Sequence, residues 1–240
     1  MAVNLGQVSS SGHLELVNLG NTYTQEMKND ISSGAFKICK TGCYLTINGT
    51  KYIFAHPDYW YNKGGSGYKC TTHHMAVITA KRIGTGKMAN ASKTPFSSSY
   101  MRQTTIVNTV VPKLETDFGA DNILGINAGL VSGLDSSGYP NNWGYYTSRA
   151  TLPTQMMLFG MLYCYYPTSN NYNFYNVGID NDQFELFAKR PDLIPDEVGA
   201  YWVRDIYNGS NYNIVNPTGA VAWDSYSTTT NGIRPVFAIC

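Results

Sequence analysis

Cys70, His73 and His74, with His56 earlier in the chain, are the residues most able to do metal chemistry. Thiolate and imidazole are the ligands that zinc and copper take. The C-x2-H-H spacing is not a closed zinc pattern, however, and adjacent side chains in a strand point to opposite faces. Histidines held in the core or in turns by hydrogen bonds are therefore expected, and no metal. As general bases, His73 and His74 would need a nucleophile, and no G-x-S-x-G elbow supplies one. A glycosidase needs two carboxylates roughly 5 to 10 Å apart. Candidates such as Asp58 and Asp182 are scattered, and their spacing singles out no pair. Five cysteines stand at 39, 43, 70, 164 and 240. Cys39 and Cys43 form a C-x3-C pair with no second pair to complete a zinc site, so free thiols are the default. No catalytic residue and no cofactor is expected.

A different chemistry, recognition, is written into residues 205 to 231. This stretch is mostly Asn, Tyr, Ser, Thr and Asp, with Trp223 in its second half. Tyr and Trp give large contact area at low entropy cost, while Asn and Ser give adaptable hydrogen bonds. A solvated loop is also rich in Asn, Ser and Asp, but it has no physical need for Tyr207, Tyr212, Trp223 and Tyr226. The candidate ligand-binding residues are Asp205, Tyr207, Asn208, Ser210, Asn211, Tyr212, Asn213, Trp223, Asp224 and Tyr226. Tyr207, Asn208, Asn211, Tyr212, Asn213, Trp223, Asp224 and Tyr226 are expected to be mostly exposed and to lie on one face. Two apolar segments bracket the stretch, each carrying an arginine: Tyr201 to Arg204, and Gly232 to Cys240. Trp202, Arg204, Ile233 and Arg234 are expected to hold these segments together beneath the surface. The arginines would fork to carboxylates or carbonyls, with Asp205 a candidate partner for one of them.

A chain of 240 residues can bury a real core without a metal or disulfide staple. Its formal charge is +1 with 14% charged residues, and no Lys/Arg cluster exists to track a nucleic-acid backbone. The longest apolar run, Met156 to Tyr166, is too short to span a bilayer. No basic region followed by an apolar stretch opens the chain, so no secretory signal is expected.

The elements that must position these residues follow in order. Residues 1–38 read as an N-terminal attachment arm, with a short helix over Thr24 to Ile31. Tyr44 to Phe54 reads as a hairpin closed by Asn48-Gly49, a type I′ turn signal. Met75 to Thr79 is an apolar strand. From Ser97 a helix is expected, with Tyr100, Thr104, Val107, Val111, Leu114 and Phe118 on one face and Pro112 kinking or restarting it. Residues 125–150 and 169–176 read as loops. Pro153 to Tyr163 reads as a buried helix. Asp180-x-x-Gln183 resembles a capping box for a short helix through Ala188. Strands dominate from Tyr201 onward, giving an α+β class with long loops and a C-terminal antiparallel sheet.

At Tyr201-Trp202-Val203-Arg204 and Gly232-Ile233-Arg234-Pro235 the chain resembles C-type-lectin-fold proteins carried by bacteriophages and prophages of gut bacteria. His56-Pro57-Asp58-Tyr59-Trp60-Tyr61, Cys70-Thr71-Thr72-His73-His74 and the Met101-to-Gly119 helix look like the same family. The resemblance covers about residues 40 to 240 and implies a C-type-lectin-like ligand-binding domain over 39–240, with a variable segment over 205–231. Some members are targets of diversity-generating retroelements, and the composition of 205–231 looks like their outcome. The resemblance implies display on a virion and a bacterial-surface protein or glycan as ligand. Other virion proteins would be met through residues 1–38, and self-association is left open. No nucleic-acid partner and no membrane insertion are expected, from the scattered charge and the short apolar runs.

The chain departs from calcium-dependent sugar lectins of that fold. Asn216-Pro217 lacks an acidic neighbour, and Trp223-Asp224-Ser225 is only a partial match to their Trp-Asn-Asp triplet, so no calcium site is expected. It departs too from formylglycine-generating enzymes, which share the broad fold, because their close cysteine pair is missing. The alternative is a virion structural or decoration protein with no specific ligand.

Overall fold

The computed structural model describes residues 14–64, 67, 69–162, 180–208, 210–225 and 228–240. The class is α+β, with short helices and several sheets. Residues 14–38, the near part of the expected arm, belong to the body. Strand β1 (Val17–Asn18) pairs in parallel with β2 (Cys43–Ile47). Helix α1 (Gln25–Ser32) starts at Thr24, whose hydroxyl accepts the Met27 N–H, and it buries Met27 and Ile31 in the main core. The expected helix stands, and an N-cap threonine explains where it begins.

Strands β2 and β3 (Thr50–Pro57) form the expected hairpin. Asn48 and Gly49 have φ of 48° and 77°, the paired positive values that a type I′ turn requires. Next to β3 lies β4 (Met75–Thr79), then β13 (Val236–Ile239), then β6 (Ile123–Leu124). The six-stranded sheet therefore runs β1-β2-β3-β4-β13-β6, with β13 in its interior. Strands β4 and β13 are buried on both faces. Met75, Val77, Phe237 and Ile239 enter one core cluster, while Ala76, Ile78, Val236 and Ala238 enter the other. This is why both segments read as unbroken apolar runs rather than alternating ones.

A second sheet carries the polar stretch. Its order is β11 (Val221–Ser225), β10 (Asn211–Val215), β9 (Tyr201–Asn208), β12 (Asn231–Gly232) and β5 (Thr85–Gly86). The expected single C-terminal antiparallel sheet needs correcting here. Strands β9, β10 and β11 are antiparallel neighbours, but β12 runs parallel to β9, and β13 leaves for the other sheet. Pro235, with no N–H to donate, stands at that crossing between the two sheets.

The long helix differs from expectation in its phase. Residues Met101–Val110 are π-helical, and α2 (Val111–Phe118) continues them. The Val111 N–H reaches the Ile106 carbonyl, five residues back. Each π ring holds one residue more than an α ring, so the inward face advances faster than the α spacing. The buried residues are Met101, Ile106, Val110, Leu114 and Phe118, whereas Tyr100 and Val107 are exposed. Pro112 sits in the first turn of the α segment, where its missing N–H costs least, so it restarts the helix.

Residues 125–150 are not loop. Strands β7 (Ile126–Leu134) and β8 (Pro140–Ser148) form a two-stranded antiparallel ribbon. Its turn is closed by Asp135, whose Oδ1 accepts the N–H groups of Ser137 and Tyr139, both at 2.9 Å. The expected helix over Pro153 to Tyr163 shrinks to α3 (Gln155–Phe159). It begins at the Thr154 cap and stops at Gly160, whose φ is 70°. Helix α4 (Glu185–Lys189) begins after Phe184 with no side-chain cap, so Asp180 and Gln183 form no capping box. The stretch 169–176 lies outside the described residues.

Candidate functional site

The central feature of the polar stretch is a pair of aromatic rings. Tyr207 on β9 and Trp223 on β11 stack with centroids 5.5 Å apart and planes 3° from parallel. Trp223 is 53% exposed and Tyr207 is half-buried. Between their strands lies β10, so the two rings meet above it. The pairing register explains how Tyr207 gets there. Asn208 pairs with Asn211 and Ile206 with Tyr212, so β9 holds one extra residue at this point. Such a bulge re-aims a side chain, and here it turns Tyr207 toward Trp223. A parallel displaced aromatic pair contributes about 0.5 to 1.5 kcal/mol beyond its area burial.

The turn joining β9 to β10 frames this pair. Asn208 Oδ1 accepts the Ser210 N–H at 2.9 Å and the Asn211 Nδ2–H at 3.0 Å. Ser210 is exposed, and Asn208 and Asn211 are partly so. Five of the expected ligand-binding residues thus meet at one surface: Tyr207, Asn208, Ser210, Asn211 and Trp223.

The others do not join them. Asp205 is buried, and its Oδ2 accepts the Gln155 N–H at 2.8 Å, anchoring the start of α3. Tyr212 is fully buried, and its hydroxyl donates to the Thr94 carbonyl at 3.0 Å. Asn213 is fully buried too; it pairs directly with Trp223, and the stacked rings cover this part of β10. The expectation of a run of exposed residues fails because the middle of β10 is covered on both faces. Asp224 is an internal tie. Its Oδ1 accepts from Ser225 N at 2.8 Å and Thr229 Oγ1 at 2.7 Å, and its Oδ2 from Asn231 Nδ2 at 3.0 Å. Tyr226 lies outside the described residues.

All four expected support residues are buried. Trp202 donates Nε1–H to the Gly86 carbonyl at 2.7 Å, and the Ile233 side chain packs beside the same glycine. Strands β9 and β12 meet next to them, with Gly232 N–H reaching the Ala200 carbonyl at 2.8 Å. The arginine partners differ from expectation. Arg204 Nη2 pairs with Asp180 Oδ2 at 2.6 Å and Nη1 with Thr151 Oγ1 at 3.1 Å; Asp205 is not its partner. Asp180 also accepts from Trp60 Nε1 at 2.7 Å and Gly129 N at 2.8 Å. Asp180 has a φ of 58°, a conformation that Asp and Asn tolerate better than most residues. Arg234 uses carbonyls instead: Thr79, Ile194 and Leu193, at 2.8 to 2.9 Å. It caps the turn at Pro191–Leu193 while lying near the Phe187 and Tyr201 rings.

The capping-box spacing drew attention to Asp180 for another role, and nothing marked it as the partner of Arg204, 24 residues away. The structure supplies what the sequence lacked, namely β7 and the turn that follows β3, which bring Gly129 and Trp60 to the same carboxylate.

The histidines are held separately. His73 Nδ1 meets Asp58 Oδ2 at 2.7 Å, and its ring stacks on Tyr61. His74 is fully buried; its Nδ1 faces the Thr72 carbonyl at 2.8 Å, and its Nε2 accepts the Trp60 N–H at 3.1 Å. That pattern fits a neutral ring protonated at Nδ1. His56 Nδ1 accepts the Glu185 N–H at 3.1 Å. Among the described residues no group of three His, Cys, Asp or Glu could hold a metal ion. Cys39 and Cys43 are free thiols, and burial pushes both pKa values up, which leaves them unreactive.

A pH dependence follows from His74 and His56. Burial is the largest cause lowering the pKa of each, and for His74 the Thr72 carbonyl and Asp58 offset it only in part. Both rings then bind a proton more readily in the unfolded chain. Stability should therefore fall as pH drops below about 6.5 and level off once pH passes the lowered folded values. Thermal melts at a series of pH values test this. A melting temperature that holds steady from about pH 7 down to about pH 5 would refute it.

Among the described residues no helix is long and apolar enough to cross a membrane. Comparison with known proteins adds no relative: no family model, no curated protein and no solved structure matches this chain.

Proposed function

We propose that this is a non-enzymatic ligand-binding protein with a C-type-lectin-like domain, displayed on a phage virion for recognition of a bacterial surface. The observation that carries the reading is the Tyr207–Trp223 pair. It leaves Trp223 53% exposed on a sheet whose other side is packed into the core. A large exposed indole costs solubility and adds nothing to the core, which is the pattern of a contact surface. The turn residues Asn208, Ser210 and Asn211 supply hydrogen-bonding groups beside it. The scaffold beneath is fixed by Trp202, Arg204, Ile233 and Arg234, as loops that recognise ligands are fixed on rigid sheets.

Replacing Tyr207 and Trp223 together by alanine tests this. Adsorption of virions to susceptible bacteria should fall by at least about tenfold. Folding should survive, with stability lowered by no more than about 1.5 kcal/mol. Unchanged adsorption would refute the reading. Sequencing offers a second test. If a retroelement diversifies the segment, adenine-restricted differences should fall on codons 207, 208, 210 and 211 and spare the buried Tyr212 and Asn213. Changes spread evenly over all six codons would speak against a diversified surface.

A further inference from the structure

We infer that the ligand at this surface is a carbohydrate ring, bound without calcium by stacking on Trp223. The inference rests on the binding-surface reading above and narrows it to one chemical class.

Three observations point to a sugar. First, the stacked rings offer a flat apolar strip. Tyr207 backs Trp223 in a plane only 3° from its own, and the indole keeps more than half its surface open. A pyranose presents a face of C–H groups that fits such a strip. A protein hot spot would instead be ringed by apolar contacts that exclude water. Here Trp223 faces Asn213 directly, with Asn211 on one diagonal and the buried Val215 on the other, while Ile206, Ile214 and Ala222 join the core on the opposite face.

Second, the frame is made of neutral amides. The Asn208 Oδ1 is spent on the Ser210 N–H and the Asn211 Nδ2–H. That arrangement leaves Asn208 Nδ2 as a donor and Asn211 Oδ1 as an acceptor, in adjacent positions. Hydroxyl groups both donate and accept, so two neighbouring sugar hydroxyls can satisfy this pair together. The extra residue in β9 is Tyr207 itself, next to the Asn208–Asn211 amide pair, and Asn211 lies diagonal to Trp223 across the β10–β11 register.

Third, the carboxylate next to Trp223 in the chain, Asp224, is engaged within the protein. Asp224 uses both oxygens on Ser225, Thr229 and Asn231. Calcium needs several converging oxygens; Asp224 already accepts three hydrogen bonds, and among the described residues no group of three His, Cys, Asp or Glu could join it around an ion. Recognition must then come from stacking and amide hydrogen bonds.

The test uses an array of immobilised pyranose-containing oligosaccharides and bacterial polysaccharides, probed with the full chain in the presence of EDTA. The expected result is retention on a subset of sugars, with a loss of at least about tenfold in Trp223→Ala. An Asn211→Asp variant, which removes the donor to Asn208 and adds charge, should lose binding while melting like the parent. No sugar retained, or equal retention by Trp223→Ala, overturns the inference. A parallel arm uses envelope fractions of intestinal bacteria, either periodate-oxidised or protease-digested. Loss of binding only after periodate, which cleaves vicinal diols, supports the sugar. Binding that needs Trp223 but is lost only after protease overturns the sugar class and leaves the binding surface standing. Envelope binding that ignores Trp223→Ala sinks both.

Discussion

Asp180→Asn should destabilise the protein by about 3 to 5 kcal/mol, a cost set by the charge left behind rather than by the hydrogen bonds lost. The side chain keeps its shape and tolerates the positive φ of 58°, so backbone strain does not confound the result. What changes is Arg204, which is 3% exposed and has Asp180 as its ion-pair partner. Its Nε already has no hydrogen-bond partner among the described residues. With the carboxylate gone, a guanidinium sits in the core without compensation. Urea unfolding should show a lower midpoint with an unchanged slope. A double variant, Asp180→Asn with Arg204→Met, should be more stable than Asp180→Asn alone, because it removes the orphaned charge. A double variant as unstable as the sum of its parts would show that the pair does not act as a unit.

Trp202→Ala should cost a comparable amount, about 3 to 5 kcal/mol, through a cavity rather than a charge. The ring is fully buried, and it ties β9 to β5 through the Gly86 carbonyl. Typical domains have only about 5 to 15 kcal/mol in total, so this variant should unfold or aggregate before any change in binding can be measured. If Trp202→Ala melts like the parent yet loses ligand, Trp202 belongs to the binding surface and the support role is wrong.

The features that were legible in the sequence are those in which local chemistry decides. Asn48 and Gly49 fix a turn because both can hold positive φ. Thr24 fixes a helix start because its hydroxyl satisfies an orphan N–H. Met75 to Thr79 and Val236 to Ile239 read as core strands because both of their faces are apolar. What stayed hidden depends on register and on partners far along the chain. One extra residue in β9 decides that Tyr207 faces Trp223, and nothing in the composition marks it. Tyr212 and Asn213 looked like surface residues by type, yet the packing on both sides of β10 buries them. The π turns shifted the inward face of Met101–Val110, because a 3.6-residue template assumes α spacing. Ribbon β7–β8 was missed because Gly, Ser and Asn mask the alternation, although Asp135 to Gly138 carried the turn.

The position of β13 has a consequence for how errors are handled. It is made after all the strands it completes, and it lies between β4 and β6, pairing Val236 with Ile78. Folding of the six-stranded sheet must therefore wait for a segment synthesised after residues 205–231. A shifted reading frame anywhere in 205–231 would replace the whole β13 sequence and leave β4 and β6 without their shared neighbour. Such a chain leaves β6 without its strand partner and bares one edge of the apolar β4, which keeps only β3, and it is a substrate for degradation or aggregation. In-frame changes at Tyr207 or Asn211 leave β13 intact. An in-frame change at the proposed binding surface therefore leaves the six-stranded sheet whole, whereas a frame shift ahead of β13 removes one of its interior strands.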